Sequence, residues 1–371
     1  MVSGMRTFVC CLIQISFLIN LAEFAKFSEC QSDEKCIRLD KCSHIVDVIR
    51  QDIKMTSEQK YLMTHKQCDL DYRSKSYLQR IYVCCLEPGN VLPDVNTCGQ
   101  RPPSFRIFGG KESKINDFPW MAMLIYNKGQ EDQLSLCAGS LINTRYVVTA
   151  AHCLVNWPMI ESGTVVTKVR LGEWNTSSNP DCLSQLNGRT HCSDPYLELD
   201  VEQRIVHKGY LIDSKSYQND IALIRMRQAV RYTTWIKPIC VKTSHGNNLW
   251  NSFSEETKFK IAGWGSTNKR QSSSILMTSS IVQRKPHLCW KRYKRHWPES
   301  QLCAGGIDGN DTCVGDSGSP LMATIDVGSG QYVYLAGITS YGPTPCGFPG
   351  WPGVFTRTAA FIDWIQLNLR P

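Results

Sequence analysis

The sequence predicts an all-β protein, a barrel or sandwich of short strands, preceded by a small unit held by disulfides more than by a core. Three observations carry that expectation. From Ile107 onward, short apolar or alternating runs recur between turn-forming residues, with few helical patterns among them. Between 30 and 85 the cysteines crowd together as Cys30, Cys36, Cys42, Cys68 and the adjacent pair Cys84 and Cys85. The 371 residues suffice for one large domain and one small one.

The chain opens with Arg6 and an apolar run from Phe8 to about Ala22, too short and too weakly flanked to span a membrane. Residues 1–25 therefore read as a secretory signal. Its cleavage point is not marked, because neither Ala22 nor Ala25 has a small residue two places before it. No second apolar run approaches spanning length, so a secreted, extracellular protein with no membrane partner is expected. Cys10 and Cys11 fall inside the signal, leaving 16 of 18 cysteines for an oxidising compartment, an even number that predicts eight disulfides. Zinc is the competing reading, but no CxxC pair occurs and the neighbouring histidines lack ligand spacing.

The small unit spans 28–86. Within it Ile45, Val48, Ile49 and Ile53 follow helical spacing, and Thr56 with Gln59 offers a capping box for a second short helix. So small a unit buries little, and three disulfides supply what burial cannot. Adjacent Cys84 and Cys85 cannot easily bond each other without strain, but 15 pairings of six cysteines remain formally open. Residues 87–106, rich in Pro, Gly and Asn, read as an exposed and readily cut linker.

Residues 107–371 form the large unit. Its strand candidates are "WMAMLIY", "LCAGSLI", "YVVTAAH", "VVTKVRLG", "IALIRM", "FKIAGW", "SILMTSSIVQR", "YVYLAGITS" and "GVFTR". One helix closes the chain, with Phe361, Ile362, Ile365 and Leu367 as an apolar stripe and Trp364 beside it. Much of the net charge of +8 sits at 283–298, where Arg284, Lys285, Lys291, Arg292, Lys294 and Arg295 cluster. That segment reads either as a dock for an acidic partner or polyanion, or as a solvated helix face.

Chemistry is concentrated in "NDTCVGDSGSP" (310–320). A serine hydroxyl is a poor nucleophile until a base takes its proton, and the base is usually a histidine oriented by a carboxylate. His152 in "VVTAAHC", at the end of an apolar strand, is the best base among eight histidines. Asp220 in "YQNDIALIRM" leads directly into a buried strand and is the candidate carboxylate. "TAAHC", "NDIAL" and "GDSG" follow one another in the order and spacing of the chymotrypsin-like serine proteases, which residues 107–371 resemble.

That resemblance implies two six-stranded antiparallel β-barrels with the site in the cleft between them. It implies His152 as general base and then acid, Asp220 as its orienter, and Ser317, not Ser319, as nucleophile. Backbone N–H groups of Gly315 and Ser317 would form the oxyanion hole, each donor contributing about 3 kcal/mol. Asp311, six residues before Ser317, occupies the base of the primary pocket as in trypsin-like members, implying cleavage after Arg or Lys. Gly342 and Gly353 would leave the walls open, while Ser340, Tyr341 and Gly342 would pair with substrate as an added strand. Cleavage between Arg106 and Ile107 would free an amine to pair with Asp316 and order the pocket.

The six N-terminal cysteines resemble a clip domain, whose pairing would be Cys30–Cys84, Cys36–Cys68 and Cys42–Cys85. Elsewhere the resemblance implies Cys98–Cys240, Cys137–Cys153, Cys289–Cys303 and Cys313–Cys346; Cys182 and Cys192, close together in an inserted loop, are expected to pair with each other. Clip domain plus trypsin-like zymogen is the layout of arthropod cascade proteases, which act in haemolymph immunity and in embryonic patterning. It implies an upstream trypsin-like activator, a downstream zymogen or cytokine precursor, a serpin inhibitor, and no nucleic-acid partner. A non-catalytic clip-domain adaptor is the alternative; a digestive trypsin is disfavoured by the clip domain.

No cofactor is needed for such chemistry. "RLGEWN" opens a loop that binds calcium in some relatives, offering Glu173 and Asn175 as oxygen ligands. Asn175-Thr-Ser is also a glycosylation sequon, so two uses of Asn175 compete. Two departures stand out. Ser319 replaces the glycine of the usual "GDSGGP", at a stability cost if that backbone needs positive φ, and Tyr341 stands where many relatives carry Trp.

Overall fold

A computed structural model describes residues 27–31, 33–42, 65–86, 89–100, 111–128, 131–133, 137–184, 190–241, 254, 256–266, 272–294, 298–307, 312–327 and 330–371. The chain divides into two units, Met1–Leu86 and Glu87–Pro371. Arg106, Ile107, Asp311, Arg295, the signal and the two helices expected between Ile45 and Gln59 lie outside the described residues. Among the described residues no helix is long and apolar enough to cross a membrane.

The first unit is a three-stranded antiparallel sheet of β1 (Glu34–Arg38), β2 (Gln67–Leu70) and β3 (Ile81–Leu86), with β3 central and the short helix α1 (Tyr77–Arg80) leading into it. Its core is Leu39, Cys42, Ile81, Val83 and Cys85, too few side chains to stabilise a domain alone. Three disulfides supplement it: Cys30–Cys84, Cys36–Cys68 and Cys42–Cys85. Glu34, whose side chain is fully buried, is neutralised by Lys66 at 2.7 Å.

The second unit is all-β. After the short β4 (Lys111–Glu112) come β5 (Met121–Lys128), β6 (Glu131–Gln133), β7 (Ala138–Leu141), β8 (Tyr146–Thr149) and β9 (Val165–Leu171). An inserted hairpin of β10 (Cys182–Ser184) and β11 (Thr190–Cys192) precedes β12 (Leu197–Val206) and β13 (Ala222–Met226). Strands β5, β7, β8, β13, β12 and β9 pair in that order, and β9 returns to β5, closing a six-stranded barrel with β6 appended.

The second barrel consists of β14 (Lys258–Gly263), β15 (Met277–Val282), β16 (Gln301–Ala304), β17 (Pro320–Val327), β18 (Gly330–Tyr341) and β19 (Gly353–Arg357). Its order is β16-β19-β18-β17-β14-β15, and a Gln283–Ala304 bridge brings the two ends together. The first six residues of β5 are all buried, as expected of a strand covered on both faces. Trp120, Tyr126 and Tyr146 fill the first core, Phe259, Tyr334 and Phe355 the second.

Three α-helices lie among the described residues of this unit: α2 (Trp157–Ser162), α3 (Pro286–Tyr293) and α4 (Ile362–Asn368). In α4 the apolar stripe differs from the expected one. Ile362, Ile365 and Leu369 are buried, whereas Leu367 is 71% exposed. The reason is rotation: at 100° per residue, position 367 lies about 200° from 365 and faces outward, whereas 369 returns to the buried face. Each buried isoleucine contributes about 1.5–3 kcal/mol.

Candidate active site

Strand register brings the first two candidates together. β13 runs antiparallel to β8 with Ala222 opposite Thr149, so residues just before β13 meet residues just after β8. Asp220 and His152 occupy those two ends. His152 sits in a 3₁₀ turn (Ala151–Cys153) braced by Cys137–Cys153. Its carbonyl accepts a hydrogen bond from Asn156 Nδ2 at 2.9 Å. Asn156 also caps α2 by accepting from the Met159 N–H at 2.9 Å.

Asp220 is fully buried and accepts three hydrogen bonds. Oδ1 receives the His152 backbone N–H at 3.0 Å; Oδ2 receives His152 Nδ1–H at 2.8 Å and the Ser340 hydroxyl at 2.5 Å. A buried charge needs such donors. With Nδ1 donating, Nε2 is left as the imidazole's acceptor. Burial opposes the charged imidazolium, but attraction to Asp220 and the hydrogen bond outweigh it, so the His152 pKa lies above its ordinary value.

Ser340 thus does more than the sequence suggested. A register irregularity between Thr339 and Tyr341, where β18 pairs with β19, re-aims its side chain at Asp220. Thr356, on β19, donates to the Asp220 carbonyl at 2.8 Å, a second contact that no motif announces.

Ser317 lies where the two barrels meet. Its carbonyl accepts from the Ala138 N–H of β7 at 2.8 Å, while the Gly318 N–H donates to the Thr339 carbonyl of β18 at 2.9 Å. Gly318 has φ +78°, and a methyl there would collide with Thr149 Oγ1 and the Ala138 carbonyl. Gly315 has φ +98°, the left-handed region that glycine enters without strain. Ser319 is not among the positive-φ residues, so the cost considered for its replacement of glycine does not arise. It is buried, and its hydroxyl lies 3.0 Å from Thr339 Oγ1.

Asp316 lies partly buried beside these residues. Oδ1 accepts from the Gly265 N–H at 2.8 Å and Oδ2 from the Cys313 N–H at 2.9 Å. Among the described residues no cation pairs with it. Burial pushes its pKa up to about 6, against the pull of the two N–H donors. A methyl on Gly263 or Gly265 would strike its carboxylate, so both glycines are required to admit it.

A Cβ built on Gly342 would lie 4.0 Å from Gly353 Cα, so the two glycines face one another across a narrow gap. Cys313–Cys346 staples the adjoining loop and Cys289–Cys303 fixes α3 to β16. Tyr341 packs against Tyr217 (5.1 Å between ring centres), which meets the His152 ring edge-on at 6.0 Å. Tyr217 adopts φ 49°, unusual for so bulky a side chain.

Away from the cleft, Cys98 bonds Cys240 and Cys182 bonds Cys192. In the loop after β9, Glu173 Oε2 pairs with Arg170 at 2.8 Å, whereas its buried Oε1 has no hydrogen-bond partner. Asn175 Oδ1 accepts from the Ser177 N–H at 3.2 Å. Asp181, which sequence reasoning missed, holds this loop by accepting the Trp174 and Asn175 N–H groups at 3.0 and 2.9 Å. Two clusters among the described residues have metal-ligand proximity, but every sulfur in them is disulfide-bonded.

Comparison with known proteins agrees with this geometry. The trypsin family model matches residues 107–365. Spaetzle-processing enzyme of Drosophila melanogaster is 38% identical over 405 residues, covering 100% of both chains. Melanization protease 1 of the same species is 36% identical, covering 93% of this chain and 94% of its own. The crystal structure of the Drosophila Grass clip serine protease of the Toll pathway superposes with a TM-score of 0.63 at 27% identity, over 90% of this chain and 93% of that one.

Proposed function

The chain belongs to the trypsin family of serine proteases, with clip-domain relatives along its length, and from that membership we propose a specific role. It is a secreted zymogen, cut after Arg106 by an upstream trypsin-like enzyme. Once active, it cleaves after Arg or Lys in a zymogen or cytokine precursor of an extracellular cascade, and a serpin restrains it. Relatives named for Spaetzle processing and melanization support the cascade assignment.

In this reading Ser317 Oγ attacks the substrate carbonyl as His152 Nε2 takes its proton. The proton passes to the leaving amine, and water then repeats the sequence to release the acyl group. Asp220 keeps the imidazole in the required tautomer and balances the imidazolium. N–H groups of Gly315 and Ser317 receive the oxyanion, and Asp311 receives the substrate cation.

The observation that carries the proposal is Asp316, a partly buried carboxylate with two N–H donors and no cation among the described residues. An ammonium freed at Ile107 is the partner such a group lacks. The test is hydrolysis of Arg-, Lys- and Phe-containing chromogenic peptides before and after nicking at Arg106, beside a Ser317→Ala control. Activity should appear only after nicking, be confined to Arg and Lys, and vanish in the control. Silence after verified cleavage would instead favour the non-catalytic adaptor.

Structural calcium at Glu173 and Asn175 is the finer reading of the loop after β9, supported by the partnerless Glu173 oxygen. Millimolar calcium should then raise the thermal midpoint by several degrees over a chelator-treated sample. An unchanged midpoint would remove calcium from the account. A mass loss on treatment with peptide-N-glycosidase, mapped to Asn175, would assign that residue to a glycan.

A further inference from the structure

Helix α3 presents an exposed face that the cleft chemistry does not use. His287, Trp290, Lys291 and Lys294 stand at i, i+3, i+4 and i+7, and hence on one side of the helix. All four are exposed, Trp290 by 56%, and none has a side-chain partner among the described residues. The opposite side is anchored. Cys289 is buried in its disulfide, and Tyr293 Oη donates to the Pro352 carbonyl at 2.8 Å. Arg292 is drawn aside over the Trp351 ring at 5.5 Å.

Lysines in a last helical turn complement the helix dipole, which would account for the charge alone. That does not account for a half-exposed tryptophan among them. Nor does it explain Lys294, held at φ 50° in the left-handed C-cap position where glycine would be more stable. Indole and ammonium groups side by side match a partner that brings an apolar side chain between carboxylates. Two lysines and a histidine are too few for a polysulfated chain, which binds chiefly by releasing counterions from many contacts.

The face is also coupled to the cleft. The ring of Tyr293, on the anchored side of α3, lies 5.2 Å from Tyr341, which touches Tyr217, which in turn meets His152. We propose that the His287–Trp290–Lys291–Lys294 face is an exosite that docks an acidic segment, bearing an apolar side chain, of the protein substrate. This rests on the protease reading above.

The test uses the full chain nicked at Arg106, and a fluorescein-labelled peptide of alternating Asp/Glu with one central Phe as probe. Anisotropy should show binding that weakens at least about tenfold between low and moderate salt. A K291E/K294E double variant should lose at least about tenfold in affinity, and Trp290→Ala should weaken binding at every salt concentration. Both variants should hydrolyse the small Arg substrate like the parent. Equal binding by parent and double variant would overturn the proposal. So would tight binding of a heparin oligosaccharide with none of the peptide, or no binding of either. Peptide binding without hydrolysis of the Arg substrate would sink the protease reading while leaving the docking face intact.

Discussion

Replacing Asp220 by asparagine should lower kcat by about 10⁴-fold while leaving the fold in place. The carboxylate accepts His152 Nδ1–H and the Ser340 hydroxyl on one oxygen and the His152 N–H on the other. An asparagine amide can accept on only one side. If its NH₂ faces Nδ1, the imidazole must donate from Nε2, and the base for Ser317 is lost. A second effect runs through pH. With Asp220 present the His152 pKa lies above 6.5, so kcat/KM should fall as pH drops through a value above 6.5. Without that charge the acid limb should move to lower pH. Pre-steady-state kinetics and a pH profile on the nicked enzyme decide it; an undiminished kcat would remove Asp220 from the chemistry.

Asp316→Asn should separate stability from activation. In the un-nicked protein the folded state holds the Asp316 proton more tightly than the unfolded chain does. The contribution of Asp316 to stability is therefore full below pH 3.8 and is lost as pH rises from 3.8 to about 6. At about 1.4 kcal/mol per pH unit the decline amounts to about 3 kcal/mol. The asparagine variant lacks that slope, but meets two converging N–H groups with a single acceptor, which costs about 1–3 kcal/mol. It should be the less stable protein at pH 4 and recover relative to the parent by pH 7. After nicking, a buried ammonium at Ile107 would have no counter-charge, and kcat/KM should be lower by about 10²- to 10³-fold. Urea unfolding across pH and hydrolysis after nicking measure the two arms; full activity in the variant would rule out the ion pair.

The features legible in the sequence are those tied to local pattern. His152 and Asp220 each stand at the end of an apolar run, and such runs become β8 and β13, whose pairing then makes them neighbours. The fold class was legible for the same reason. What stayed hidden depends on distance or on exposure. Ser340 and Thr356 reach Asp220 from 120 and 136 residues away, with no periodicity to announce it. β12 buries only Leu199 among its ten residues, so its apolar signal is diluted by charges. β16 reads Gln-Leu-Cys-Ala and is buried throughout, glutamine included, so it shows neither an apolar run nor an alternation. Left-handed φ at Tyr217 runs against the preference of so bulky a side chain, and no local pattern announces it.

The hydrogen bonds from Ala138 to Ser317 and from Ser340 and Thr356 to Asp220 cross from one barrel to the other. Ser317, the proposed nucleophile, is thus tied to β7 of the first barrel, and Asp220, the proposed orienting acid, is steadied by two hydroxyls of the second, although His152 and Asp220 meet within the first. Hydrolytic rate is accordingly a gauge of that joint, sensitive to an ångström of slippage that would leave both cores, and any spectroscopic measure of folded content, unchanged.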